Sequence, residues 1–180
     1  TPQVDLYWTT CYRGIAACNF LLGGESKMCE RLDGGGVDFT ADDVNDAVGQ
    51  GRFLRALYYF HLVRRFGGVP LLVDNDNALD IPRSEAEEVW DLIKSDLRVA
   101  SANLFEKGST EEGRATRGAA LGLLGKVYLF NEQYDSAKFY LDQISGYSLL
   151  PLNEYNDNFN ESGEFNDESM FEVVYTGEQD

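Results

Sequence analysis

Residues 51–72, GRFLRALYYFHLVRRFGGVPLL, constrain the fold more than any other stretch of the chain. Phe53, Ala56, Leu57, Tyr59, Phe60, Val63 and Phe66 spread apolar and aromatic side chains over so much of a helical surface that little of it can face water. Such a helix has to be central. Gly67-Gly68 supplies a C-cap, and Pro70 forbids the helix from resuming while pushing Val69 into an extended conformation. At the other end, Thr40 and Asp43 stand at capping-box spacing, with Asp in place of the usual Glu, so the helix is expected to run from Thr40 to about Phe66.

Other elements follow from the same reasoning. A helix is expected over about 5–22, with Leu6, Ile15, Cys18, Leu21 and Leu22 approximating one face and Gly23-Gly24 ending it. Residues 27–37, passing through Gly34-Gly35-Gly36, read as a loop. After an irregular stretch over 74–82, Ser84 with Glu87 has capping-box spacing and opens a helix over about 85–103, packed through Val89, Trp90, Ile93, Leu97 and Ala100. Beyond a polar loop, helices over 116–130 and 134–145 are joined by a turn at 131–133.

Leu121, Leu124, Gly125 and Tyr128 in the first of that pair, with Ala137 and Leu141 in the second, show the tetratricopeptide arrangement of small residues facing bulky ones. Residues 45–66 with 85–103 read as a degenerate second copy carrying an extended insertion. From Tyr147 the chain turns into a loop dense in Asn, Asp, Glu and Ser, and then Met170 to Tyr175 reads as a strand without an obvious partner, which suggests truncation. The expected fold is mainly α, built of tetratricopeptide-like helix pairs with irregular loops and one short strand near the C-terminus. One partial domain spans 1–180, with the helical scaffold over about 40–146 and the closing loop and strand over about 147–176.

With 180 residues, 43% of them hydrophobic, the chain can bury one good core. Its formal charge is −16, and residues 151–180 hold nine Asp or Glu and no Lys or Arg. Such a field disfavours nucleic acid and anionic membrane surfaces as partners and leaves neutral ligands, sugars above all, open. The chain starts at Thr1-Pro2 without an initiator Met or a signal-like run, so a targeting segment is expected to lie outside it. No stretch approaches the roughly 20 apolar residues of a spanning helix, and membrane attachment is expected only through a lipid anchor outside this sequence.

Cys11 and Cys18 lie two turns apart on a helix, about 10 Å from each other and beyond disulfide reach, so buried free thiols are expected. Catalytic chemistry is thin. His61, the only histidine, has no Ser or Cys placed beside it by sequence and reads as a helix-packed or surface residue. Asp74, Asp76 and Asp80 lack the Gly and Glu of a calcium loop, Gly34 to Gly36 follow no strand, and abundant carboxylates are not evidence of a glycosidase pair. No catalytic residue, no metal site, no cofactor and no enzymatic activity are expected. Arg52 and Arg55 are expected to pair with carboxylates rather than to capture a ligand anion.

Five segments, in order, carry a likeness to a known family. Tyr12-Arg13-Gly14-Ile15 with Cys18-Asn19 comes first, and Arg52-Phe53-Leu54-Arg55-Ala56 with Tyr58-Tyr59-Phe60 and Phe66-Gly67-Gly68-Val69-Pro70-Leu71 is the most specific. Arg83-Ser84 with Val89, Ile93, Asp96-Leu97 and Ala100 follows, then Gly113-Arg114-Ala115-Thr116-Arg117-Gly118 with Val127-Tyr128-Leu129. Tyr147-Ser148-Leu149 and the run from Glu168 close the series. Together they resemble the SusD/RagB family of bacterial outer-membrane nutrient-binding lipoproteins, as an internal piece.

The resemblance implies cell-surface binding of an oligosaccharide or other nutrient, delivered to a SusC-like TonB-dependent transporter, in a surface-exposed, lipid-anchored parent at the outer membrane. Sugar binding needs flat aromatic faces beside polar groups. Tyr7, Trp8 and Tyr12 offer such faces at the edge of the first helix, in the neighbourhood where the resemblance places ligand contacts, although core packing is the favoured reading of Trp8. The alternative is a tetratricopeptide-type adaptor that grips a peptide in a concave groove.

Overall fold

The computed structural model describes residues 1–35, 39–74 and 81–173. α1 (Pro2–Leu22) and α2 (Glu25–Asp33) precede the central α3 (Ala41–Phe66), followed by α4 (Ala86–Asn103), α5 (Arg117–Phe130) and α6 (Tyr134–Leu141). Successive helices pack side by side: α1 and α4 both lie on α3, α5 lies on α4, and α6 lies on α5. Two short 3-10 segments, Leu152–Phe159 and Glu161–Gly163, follow. No helix of the described residues is long and apolar enough to cross a membrane.

α3 is central for the reason its composition suggests. Phe53, Ala56, Tyr59, Phe60, Leu62 and Val63 are all buried, and the core they form takes in Ile15 of α1, Val89, Ile93 and Leu97 of α4, and Leu124 and Val127 of α5. Thr40 and Asp43 close a full capping box at its start. At its end Gly67 adopts φ 70°, a backbone conformation that a side chain resists, and Gly67 N–H donates to the Val63 carbonyl. Gly68 lies so tightly under the Ser84 carbonyl that a Cβ would occupy the oxygen's place.

The extended run after Pro70 is strapped back over α1 and α3 by side chains. Tyr12 Oη donates to the Pro70 carbonyl at 2.8 Å, and Asn19 Nδ2 donates to the carbonyls of Leu72 (2.9 Å) and Asp74 (3.1 Å). The Tyr59 hydroxyl accepts from Leu72 N–H at 2.7 Å and donates to the Leu72 carbonyl at 3.2 Å. Arg55 Nη1 reaches both Asn19 Oδ1 and the Val73 carbonyl, while the rest of its guanidinium holds Asp96 of α4. Arg52 Nη1 bonds the same carboxylate. Carboxylate pairing by Arg52 and Arg55 is therefore observed.

The pair α5–α6 matches the small-against-bulky spacing. A Cβ on Gly125 would meet Leu141 at 2.5 Å, and Ala137 is buried in the same seam. Cys11 and Cys18 are buried free thiols and Cys29 is an exposed one.

Five local expectations need correction. Residues 25–33 form α2 rather than a loop; its few apolar side chains, Met28 and Leu32 among them, are too sparse to produce a periodic signal. The capping box of α4 is Glu85 with Glu88, one residue on from Ser84 and Glu87. α6 stops at Leu141, where Asp142 caps it, so residues 142–145 lie outside the helix. Met170 to Val173 form no strand, because no neighbouring backbone pairs with them; Val174 and Tyr175 lie outside the described residues, as do Gly36, Asp76 and Asp80. In α1, Leu6 is 67% exposed, and the buried face runs instead through Cys11, Ile15, Cys18 and Asn19.

Candidate ligand-binding site

α1 runs antiparallel to α3, so its aromatic first half lies against the aromatic C-terminal turns of α3. Trp8 sits between Tyr12, with ring centroids 4.9 Å apart, and Phe66, edge-on at 5.0 Å. Tyr12 turns its ring edge to Tyr59 at 6.5 Å and uses its hydroxyl on the Pro70 carbonyl. Burial, with the nearby Tyr59 and Cys11 adding to it, pushes the Tyr12 hydroxyl far above the ordinary phenol range, so it stays a neutral donor. Tyr7 diverges from this pair: its ring lies edge-on to His61, and the Arg65 guanidinium covers its face at 3.9 Å.

The structure thus brings Trp8 and Tyr12 together and sets Tyr7 beside them under Arg65. All three are half-buried and packed against the core. They form a half-buried aromatic edge of α1 and α3. His61 is exposed between Tyr7 and Phe60 rings, and desolvation, with Arg64 and Lys126 nearby, lowers its pKa.

A second recess, which the sequence did not reveal, lies between the α4–α5 loop and the chain after the 3-10 segments. Its volume of about 310 Å³ falls at the small end of the usual range for ligand sites, about 300–1,000 Å³. Gly113, at φ 83°, brings the loop under the Phe165 ring, and Phe165 itself takes φ 57° with its N–H donating to Glu172 Oε1 at 3.2 Å. Lys107 Nζ ties the two walls by donating to the carbonyls of Asn166 (2.6 Å) and Ser169 (3.0 Å). Arg114 is anchored on Asp46 at 2.6 Å, and the Gln50 side chain pairs with the Ala115 backbone in both directions.

An aromatic ring, carboxylates of Glu111 and Glu172, and the hydroxyls of Thr110 and Ser169 together suit a small ligand with one apolar face and many hydroxyls. The traces of this recess in the sequence are the Gly113-Arg114-Ala115-Thr116 string and the run from Glu168, which holds Ser169 and Glu172. Phe165 stands in the acidic tail, where neither spacing nor periodicity marks it.

Among the described residues no group of three or more His, Cys, Asp or Glu could hold a metal ion. The family model described as "Starch-binding associating with outer membrane" matches residues 2–129. The chain belongs to the SusD-like family.

The likeness continues beyond the matched segment. A SusD-like protein of Bacteroides ovatus is 33% identical over 183 residues, covering 93% of this chain and 32% of that protein. The starch-binding protein SusD of Bacteroides thetaiotaomicron is 27% identical over 135 residues, covering 72% and 24%. The solved structure of a laminarin-binding SusD-like protein superposes with a TM-score of 0.76 at 30% identity, covering 94% of this chain and 37% of that one. This SusD-like chain therefore spans about a third or less of the length of the relatives it matches.

Proposed function

We propose that this SusD-like chain contributes to the binding of an oligosaccharide at the outer cell surface, for delivery to a TonB-dependent transporter, within a lipid-anchored protein. The observation that carries the reading is the family match over residues 2–129, on a helical scaffold like that of a laminarin-binding relative. Chain 1–180 acts as one partial domain in which the helices supply rigidity and the aromatic edge and loops supply contacts. Tyr7, Trp8 and Tyr12 are the proposed sugar contacts, stacking on the apolar face of a pyranose ring, without catalysis and without a cofactor.

Calorimetric titration with maltoheptaose, laminarihexaose and a xyloglucan oligosaccharide tests this. Binding of at least one of them, weakened about tenfold or more by Trp8→Ala, is expected from the loss of one stacking face. Binding unaffected by Trp8→Ala but abolished by Phe165→Ala would move the contact to the recess under Phe165. Failure of all three sugars on the intact parent protein, with no transporter co-purifying from its membranes, would overturn the reading.

A further inference from the structure

The strap over residues 70–74 and the start of α2 enclose a cleft of about 760 Å³ whose charge runs against that of the whole molecule. Among the described residues Lys27 of α2 and Arg52 and Arg55 of α3 line it, with Asp74 the one carboxylate in its walls, in a chain that carries 31 acidic residues against 15 basic ones. Behind the floor lies Asp96, and its two oxygens are already engaged by Arg55 through a parallel pair of bonds. Arg52 adds one more bond, from Nη1 to Oδ1 at 2.8 Å. Two guanidinium groups therefore share one carboxylate, and with Lys27 and Asp74 counted the described groups around the cleft keep a net positive charge.

Arg52 also differs from Arg55 in access. Its side chain remains 30% exposed, where that of Arg55 is 2% exposed. Its Nε is buried, so a ligand in the cleft meets the exposed part of the guanidinium rather than that atom. A partly desolvated guanidinium facing a cleft large enough for a ligand is a site for an oxyanion. Lys27 of α2 adds a second positive charge to the lining. Phe20, 79% exposed at the lip, and Leu92 in the wall give the same cleft an aromatic face and an apolar floor.

From this arrangement we infer that the cleft takes the charged group of an anionic sugar, a uronate carboxylate or a sulfate ester, against Arg52 and Lys27, with the sugar ring beside Phe20. The inference rests on the glycan-binding reading and adds the charge class of the glycan. A neutral sugar would leave the surplus charge unanswered. The overall negative field would slow the approach of such a ligand, so affinity depends on the short-range contacts and falls as salt screens them.

The test uses the intact chain and three probes in parallel titrations: trigalacturonate, a sulfated carrageenan tetrasaccharide and neutral maltotriose. Binding of trigalacturonate or the sulfated probe, weakened about tenfold by Lys27→Gln and by Arg52→Gln and reduced between 50 and 500 mM NaCl, is the expected result. Asp96 is held by Arg52 and Arg55 of α3, not by Lys27 of α2, so Lys27→Gln carries the test even where Arg52→Gln unfolds the protein. Which of the two anionic probes binds separates carboxylate from sulfate. Maltotriose binding alone would overturn this inference and leave the proposed function standing. An anionic probe that binds equally well to Lys27→Gln and wild type would also overturn it, as would the failure of both anionic probes to bind.

Discussion

Arg55 of α3 and Asp96 of α4 meet inside the helical layer through two parallel hydrogen bonds, Nε to Oδ2 at 2.7 Å and Nη2 to Oδ1 at 2.8 Å, with side chains 2% and 0% exposed. Burial works against the Arg55 charge, but hydrogen bonding and attraction to Asp96 more than reverse it, and its pKa rises. Asp96→Asn would leave the Arg55 guanidinium facing a neutral amide in a site sealed from water. A loss of about 3–5 kcal/mol is expected, as for other buried pairs broken from one side. Urea denaturation at pH 7 measures it. Because Arg55 also holds Asn19 and the Val73 carbonyl, faster hydrogen exchange at Leu72 N–H should accompany the loss.

Two glycines separate steric constraint by backbone from constraint by side chain. A Cβ on Gly68 would collide with the Ser84 carbonyl, which is backbone and cannot step aside without moving the start of α4. Gly68→Ala should therefore cost about 2–3 kcal/mol, the upper part of the range for overpacking. In Gly125 the obstacle is the end of the exposed Leu141 side chain, which can rotate away, and Ala adds about 1 kcal/mol of helix propensity. Gly125→Ala should then fall within about 1 kcal/mol of wild type. Thermal melts of the two variants side by side settle the contrast.

Local chemistry is what the sequence makes legible. The Thr40–Asp43 box, the Gly67 stop and the buried faces of α3, α4 and α5 all follow from spacing within a single element, and each is found in the structure. Elements without an apolar stripe escape such reading, as α2 does. Long-range polar contacts escape it too. Nothing near Asn19 in the chain announces that its amide will hold carbonyls 53 and 55 residues away, nor does any motif bring Phe165 over Gly113. The fold is thus largely readable from helix faces, whereas both clefts bring together residues far apart in the chain.

The capping box makes a prediction about acid. Asp43 accepts from Thr40 N–H and from the Thr40 hydroxyl, both at 2.7 Å, and these bonds, the backbone one first, hold its carboxyl below the ordinary Asp value. A depressed folded-state pKa means that its stabilisation is present above the ordinary Asp range and is lost as pH falls through the folded value. Carboxyl titration by NMR should find Asp43 below 3.8 in wild type, and Thr40→Ala should return it towards that value. The same substitution should cost about 1 kcal/mol at neutral pH, the usual effect of losing a Thr N-cap.

The three cysteines should differ sharply in reactivity. Cys29 is exposed on α2, while Cys11 and Cys18 are only 5% and 6% exposed between α1 and α3. Burial pushes the Cys18 thiol up to about 11, with Asp96 adding to the rise and Arg55 and its own backbone opposing it; burial alone raises Cys11. The attacking species is the thiolate, so both inner cysteines are slowed twice, by lack of access and by lack of ionisation. Titration with an aromatic disulfide reagent at pH 8 should show one fast thiol in the native protein and three in urea. Cys29→Ser should abolish the fast phase, and Asp96→Asn should make the two slow thiols react sooner by raising the population of opened molecules. A second fast thiol in the native wild type would show that α1 does not stay seated on α3.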